Sequence, residues 1–158
     1  MFGKEPAELP MSELRRLEIE HDHLFLRLAI TAGGAAIALV GSLMTWTRGL
    51  TNEAGHISEG GLQGDGRYTA ALALAVVACA VWFYARPLRT PALCGGAAAA
   101  GLLVASITEW NIVSDDVDSV NLSNGIFATA KVSSGLWVLL LGSALAFIGA
   151  VWTVRVDR

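Results

Sequence analysis

The stretch GLWVLLLGSALAFIGAVWTV, residues Gly135–Val154, decides the fold class because it contains no charged side chain. A helix needs about 20 apolar residues, at about 1.5 Å each, to cross the ~30 Å hydrocarbon core of a bilayer. Three further apolar blocks precede it, at Leu28–Trp46, Thr69–Tyr84 and Ala92–Thr108. The sequence therefore predicts an all-α membrane protein, a bundle of four transmembrane helices.

The composition of the whole chain favours a membrane protein over a water-soluble domain. Hydrophobic residues make up 54% of the chain and charged residues only 16%, where about 25% is usual for soluble domains. The segment before the first block is long and carries many acidic residues, unlike the short basic start of a signal peptide, so we expect a retained helix. The chain then divides into a cytoplasmic tail, residues 1–23, and a four-helix transmembrane domain, residues 24–158.

The loop charges predict how the bundle is oriented, because Lys and Arg are retained on the cytoplasmic side. With both termini and the short Arg86–Thr90 connection inside, only three basic residues lie outside: Arg48, Arg67 and Lys131. This predicts a multi-pass protein of the bacterial inner membrane with cytoplasmic N- and C-termini. The tryptophans agree, since all fall at predicted helix ends, as is typical of the headgroup level: Trp46, Trp110 and Trp137 outside, and Trp82 and Trp152 inside.

An amphipathic pattern in the tail predicts a cytoplasmic helix. Its apolar stripe recurs at steps of three and four residues and is expected to run straight into the first transmembrane helix: Leu14, Leu17, His21, Leu24 and Leu28. Where such an apolar stripe extends beyond the bilayer, another surface must shield it from water. The sequence does not decide whether the stripe is covered by the headgroup boundary, by the chain's own inner loop or by another protein. If another protein covers it, the candidate partner contacts are Leu14, Leu17 and Leu24.

Two outer segments are expected to be structured. The first, Thr47–Arg67, is rich in glycine, with turn chemistry at Gly64–Gly66 and a short β-like piece around His56–Ser58. The second, Glu109–Ser134, ends with a mildly apolar stretch over Ile126–Ala130 that could form a short helix or strand. It also holds an acidic cluster: Asp115, Asp116 and Asp118.

The acidic cluster allows three interpretations. Its oxygen atoms could bind a divalent cation, its charge could dock on a basic partner, or it could be a solvated acidic loop. The first two make these aspartates candidate site residues.

Small residues predict where helices approach closely, because they let backbones meet in lipid. They occur in the first helix (Gly34, Ala38), the third (Gly95 to Gly101) and the fourth (Gly142, Ala146, Gly149). The third helix consists almost entirely of Ala and Gly at this point, so we expect it to be the central packing element.

No catalytic, metal-binding or cofactor-binding constellation is found in the sequence. No ionisable residue lies near the centre of a block, and Arg27 and Glu109 lie at block ends, where their side chains can reach the interface. The histidines fall outside the blocks, and Cys79 and Cys94 are expected to be buried and reduced. We therefore predict no enzyme activity, no cofactor, no nucleic-acid partner and no small-molecule ligand.

Several short motifs carry a family resemblance. They are Trp46 closing the first helix, the glycine-rich run from Gly61 to Gly66, a short Arg-rich inner turn, and Gly135-Leu136-Trp137 opening the fourth helix. Together they resemble a group of small four-helix membrane proteins of actinobacteria, mostly of unassigned function. The four-span plan and Gly-Leu-Trp are also similar to claudins, but the claudin motif lies in the first outer loop with a cysteine pair, and both features are absent here.

The resemblance implies a role without catalysis. Some actinobacterial proteins of this size are accessory subunits of the cytochrome bcc–aa3 respiratory supercomplex. We therefore expect a non-catalytic accessory or scaffold subunit of a larger inner-membrane complex, in contact with lipid and partner proteins. The alternatives are a small transporter or pore-forming oligomer, and an envelope sensor or signalling protein.

Overall fold

The computed structural model describes residues 11–51, 55–61, 66–86, 89–123 and 129–156. Within these ranges the chain forms four helices: α1 (Met11–Leu43), α2 (Gly66–Ala85), α3 (Arg89–Ser123) and α4 (Ser134–Val156). Each contains a segment long and apolar enough to cross a membrane: His23–Leu43, Gly66–Ala85, Arg89–Ser119 and Ser134–Thr153. The prediction of four spanning helices is confirmed, and the chain has the architecture of a multi-pass membrane protein.

A small antiparallel sheet caps one end of the bundle, so the all-α class predicted from the sequence is incomplete. Its strands are β1 (Thr45–Thr51), β2 (Gly55–Gly60) and β3 (Thr129–Val132), in the order β2-β1-β3. Gly49 of β1 pairs with Ile57 on one side and with Ala130 on the other. The β-like piece around His56–Ser58 lies within β2, and β3 begins inside the predicted apolar stretch Ile126–Ala130, of which residues 126–128 lie outside the described residues. We call this end of the bundle the sheet end and the opposite one the tail end.

The tightest helix contact joins α1 to α4, which run antiparallel. A Cβ built on Gly34 would lie 2.9 Å from both the Cα of Ala146 and the carbonyl oxygen of Gly142. One built on Gly142 would lie 2.8 Å from the Cα of Ala38. Real side-chain carbons do not approach backbone this closely, so only glycine fits at these positions. The predicted close approach at Gly34, Ala38, Gly142 and Ala146 is confirmed.

The prediction that α3 is the central packing element is wrong. A Cβ on Gly101 would meet only the Leu72 side chain, at an ordinary 3.9 Å. Gly95 is tighter, with the Cβ of Cys79 at 3.2 Å, but that neighbour is a small side chain rather than backbone. Alanine-rich composition signals that helices can approach, and it does not say which pair approaches most closely. The cysteines at this contact, Cys79 half-buried and Cys94 exposed, are both free.

Trp46 joins the helices to the sheet. Its indole Nε1 donates a hydrogen bond of 3.0 Å to the carbonyl of Gly41, and the residue is only 5% exposed. A Cβ on Gly61 would lie 2.7 Å from the Trp46 ring, and the amide of Ser133, just before α4, donates to the Trp46 carbonyl at 2.7 Å. Trp46 is therefore a buried junction residue and not the headgroup anchor that its position in the sequence predicted.

Candidate partner-binding surface

Helix α3 continues well past the point where the sequence predicted it to end. Trp110 contacts Trp137 in the first turn of α4, with ring centroids 4.4 Å apart and the planes 65° apart. The part of α3 after this level, Asn111–Ser123, rises by about 20 Å at about 1.5 Å per residue. We call it the α3 extension. The expected outer loop beginning at Glu109 is therefore helical as far as Ser123.

One face of the α3 extension is anchored in the protein. Val113 and Val117 are each only 9% exposed and belong to the same apolar cluster as Trp46 and Leu136, with Trp110 packed against it. Burying valine side chains contributes about 1.5–3 kcal/mol each. The extension is thus held by the same core that holds the membrane helices together.

Asn121 fastens the α3 extension to the sheet. Its side-chain Nδ2 donates to the carbonyl of Ala130 at 3.2 Å, and its Oδ1 accepts from the amide of Ala130 at 2.9 Å. Ala130 lies in β3, the terminal strand of the sheet on that side. The asparagine amide therefore takes the place of a neighbouring strand and satisfies both backbone groups of Ala130.

The opposite face of the α3 extension is open. Ile112, Asp115, Ser119 and Leu122 follow one another at steps of three and four residues, so they share a side of the helix. All four are exposed, Leu122 to 85%. Asp116 and Asp118 flank them and are exposed as well. We call this set the acidic face: it combines carboxylates with two large apolar side chains.

The helical geometry changes the interpretation of the three aspartates. Neighbouring residues on a helix do not face each other, so Asp115 and Asp116 point in different directions. Among the described residues, no group of three or more His, Cys, Asp or Glu side chains is arranged to hold a metal ion. The hydroxyl of Ser119 donates to the backbone carbonyl of Asp116 at 2.8 Å, an ordinary contact within the helix.

The predicted contacts in the tail lie on a different part of the molecule. Helix α1 begins at Met11 and includes Leu14 and Leu17, whose side chains are outside the described residues. Leu24 is half-buried and packs against a small cluster formed by Leu28, Ala80 and Phe83. Leu24 is therefore in part covered by the chain's own helices, and its role as a partner contact stays a prediction. The structure does not bring the tail leucines together with the aspartates.

Sequence reasoning missed the stripe that supports the α3 extension. Its members share a 3-4 spacing that runs without a break from the membrane segment into the predicted loop: Leu102, Ser106, Trp110, Val113, Val117 and Asn121. All of them are buried or half-buried. The periodicity was visible in the sequence, but the aspartates and serines between its members had the composition of a loop.

The fold and this surface define a class: a multi-pass helical membrane protein that bears a sheet-supported helical extension at one end. Comparisons with protein-family models, with curated proteins and with solved structures find no match to the chain.

Proposed function

We propose that this protein is a non-catalytic accessory or scaffold subunit of a larger inner-membrane complex, and that it binds its partner through the acidic face. The observation that carries the proposal is the exposure of Ile112 and Leu122 beside three carboxylates, on a helix that Asn121 hydrogen-bonds to the sheet. An apolar side chain surrounded by charges suits a contact in which the leucine is buried and the charges guide a basic partner.

The energetics of this face support a specific contact. Burying a leucine side chain contributes about 1.5–3 kcal/mol, which corresponds to about 10- to 100-fold in affinity. The carboxylates lie at the rim and are expected to act mainly on association rate and salt dependence. A respiratory cytochrome oxidase supercomplex is the specific partner complex we propose to test first.

The experiment is affinity purification of the tagged full chain in mild detergent, followed by mass spectrometry and visible absorption spectra. We expect partner proteins and haem absorption with the parent chain. Leu122→Asp should reduce partner recovery about 10-fold or more, and Asp115→Asn with Asp116→Asn should make recovery less sensitive to salt. Thr108→Ala is the matched control, because this exposed residue lies on the same helix outside the acidic face and its hydroxyl donates to the Val104 carbonyl of its own helix.

The same purification tests the role of the tail. Leu14→Glu with Leu17→Glu should release partners only if the tail is a second contact surface. If recovery is the same for the parent chain and for every variant, or if only copies of this chain are recovered, the accessory-subunit proposal fails.

A second candidate, an envelope sensor, is favoured by one feature of the structure. Helix α1 runs without interruption from Met11 to Leu43, and Met44 alone separates it from β1. A displacement of the sheet would therefore reach the tail through one continuous helix. Partner recovery that depends only on Leu14 and Leu17, and not on the acidic face, would support this candidate instead.

A further inference from the structure

Arg27 occupies an unusual position for a charged residue. It is the fifth residue of the span His23–Leu43, and it is half-buried. Its Nε is buried and has no hydrogen-bond partner among the described residues. From the sequence we expected this side chain to be satisfied at the interface, but the structure leaves one of its donors unmatched.

An aromatic ring supports the Arg27 guanidinium. The guanidinium carbon lies over the Trp152 ring, 5.3 Å from its centroid. This geometry is a cation–π contact, which attracts the cation without neutralising it. Trp152 is 41% exposed, so the pair lies at the outer surface of the bundle and not in its core.

The packing of α1 on α4 determines where these two side chains meet. One turn deeper, a Cβ on Gly149 would lie 2.7 Å from the backbone nitrogen of Thr31, so the two helices are in backbone contact there. The Thr31 hydroxyl donates to the Arg27 carbonyl at 2.9 Å. Arg27 and Trp152 are therefore held next to each other by two helices in backbone contact.

At the tail end, the charged side chains that the structure describes are all positive. Among the side chains that the structure describes, the charged residues at this end are Arg27, Arg86 and Arg89, whereas Glu109 and the three aspartates lie toward the sheet end. Arg27 has no ion pair within the described part of the chain. A guanidinium cation attracts anions, and its planar array of donors matches a phosphate group best.

We propose that Arg27 and Trp152 form a binding site for a phosphate group carried by a phospholipid headgroup. The phosphate oxygens accept hydrogen bonds from the guanidinium, while the exposed part of the Trp152 ring lies along the lipid. A lipid is favoured over free phosphate because Arg27 lies in a segment long and apolar enough to cross a membrane, next to an indole typical of the headgroup level. The site is independent of the acidic face and of the function proposed above.

The test measures lipid binding to the purified full chain in a non-ionic detergent by native mass spectrometry. Phosphatidylglycerol is titrated against the parent, Arg27→Gln and Arg86→Gln, with diacylglycerol as the probe that lacks a phosphate. We expect Arg27→Gln to weaken phosphatidylglycerol binding by about 10-fold, and neither variant to alter the weak binding of diacylglycerol. Arg86→Gln is the matched control, since Arg86 is an exposed arginine at the same end of the bundle, and it should bind like the parent.

Two further variants keep the test decisive if Arg27→Gln does not fold. Arg27→Lys retains the charge but lacks the planar donor array, and Trp152→Leu removes the ring. Each should weaken phosphatidylglycerol binding by about 3-fold or more. Equal losses in the Arg27 and Arg86 variants, or full binding by both Arg27→Lys and Trp152→Leu, would overturn the site. Displacement of the lipid by millimolar inorganic phosphate would overturn the lipid assignment in favour of a free anion.

Discussion

Two adjacent glycines of α1 show how strongly the role of one residue depends on its neighbours. A Cβ built on Gly33 would meet no atom within 4 Å, whereas one built on Gly34 would run into the backbone of α4. Both have the same intrinsic cost in a helix, since glycine gives up backbone entropy wherever it is ordered. Of these two glycines, only Gly34 is required for the contact between α1 and α4.

The pair gives a matched test of this contact. Gly34→Ala should destabilise the bundle by about 1–3 kcal/mol, because the added methyl forces two backbones apart. Gly33→Ala should be neutral or stabilising by up to about 1 kcal/mol, because its methyl enters open space and alanine favours the helix. Unfolding of both proteins in mixed micelles, followed by tryptophan fluorescence, measures the difference. Equal stability of the two variants would contradict the close contact.

The sequence predicted which residues pack at this contact, but not which helices they join. Gly34, Ala38, Gly142 and Ala146 are spaced at single helical turns, and that spacing alone indicates a flat, narrow face. Which helix packs against α1 depends on the three-dimensional arrangement of all four helices. A local sequence pattern carries no information about that arrangement. The glycines of α3 had the same local signature and form looser contacts.

At the scale of elements, α3 and the sheet depend on each other. The α3 extension buries Val113 and Val117 against the core. The side chain of Asn121 hydrogen-bonds the backbone amide and carbonyl of Ala130 at the outer edge of β3. The apolar stripe could be read from the sequence, because its 3-4 spacing continues into the predicted loop. The hydrogen bonds between Asn121 and Ala130 could not be predicted from the sequence, because nothing near either residue indicates that a side chain takes the place of a strand.

Removing this side-chain amide should loosen β3 without unfolding α3. Asn121→Ala leaves the amide and carbonyl of Ala130 unpaired on that side, and each lost hydrogen bond costs about 0.5–1.5 kcal/mol. We expect hydrogen exchange of the Ala130 amide to rise by about 10-fold. Asn111→Ala is the control, since Asn111 lies on the same helix with its side chain exposed. Unchanged exchange in Asn121→Ala, or an equal rise in both variants, would show that the amide is not what holds β3.

At the scale of the whole molecule, the two ends differ in charge and in structure. The sheet end carries the acidic face as well as Arg48, Arg67 and Lys131, while the charged side chains described at the tail end are all arginines. The distribution of basic residues predicts that the tail end faces the cytoplasm. In the predicted orientation, the acidic face would lie outside the cytoplasm and the Arg27–Trp152 site would lie in the cytoplasmic leaflet.

Labelling of single cysteines tests this orientation. Cys79 and Cys94 are first replaced by alanine, and one cysteine is then introduced at Ser119, on the acidic face, or at Thr90, near the start of α3; both positions are exposed. In intact cells a membrane-impermeant maleimide should label Ser119→Cys and leave Thr90→Cys unlabelled, because the bilayer separates the two ends. Permeabilised cells should label both, which shows that each thiol is reactive. Labelling of Thr90→Cys alone in intact cells would show that the orientation is the reverse of the predicted one. The Arg27–Trp152 site would then lie in the outer leaflet and the acidic face in the cytoplasm.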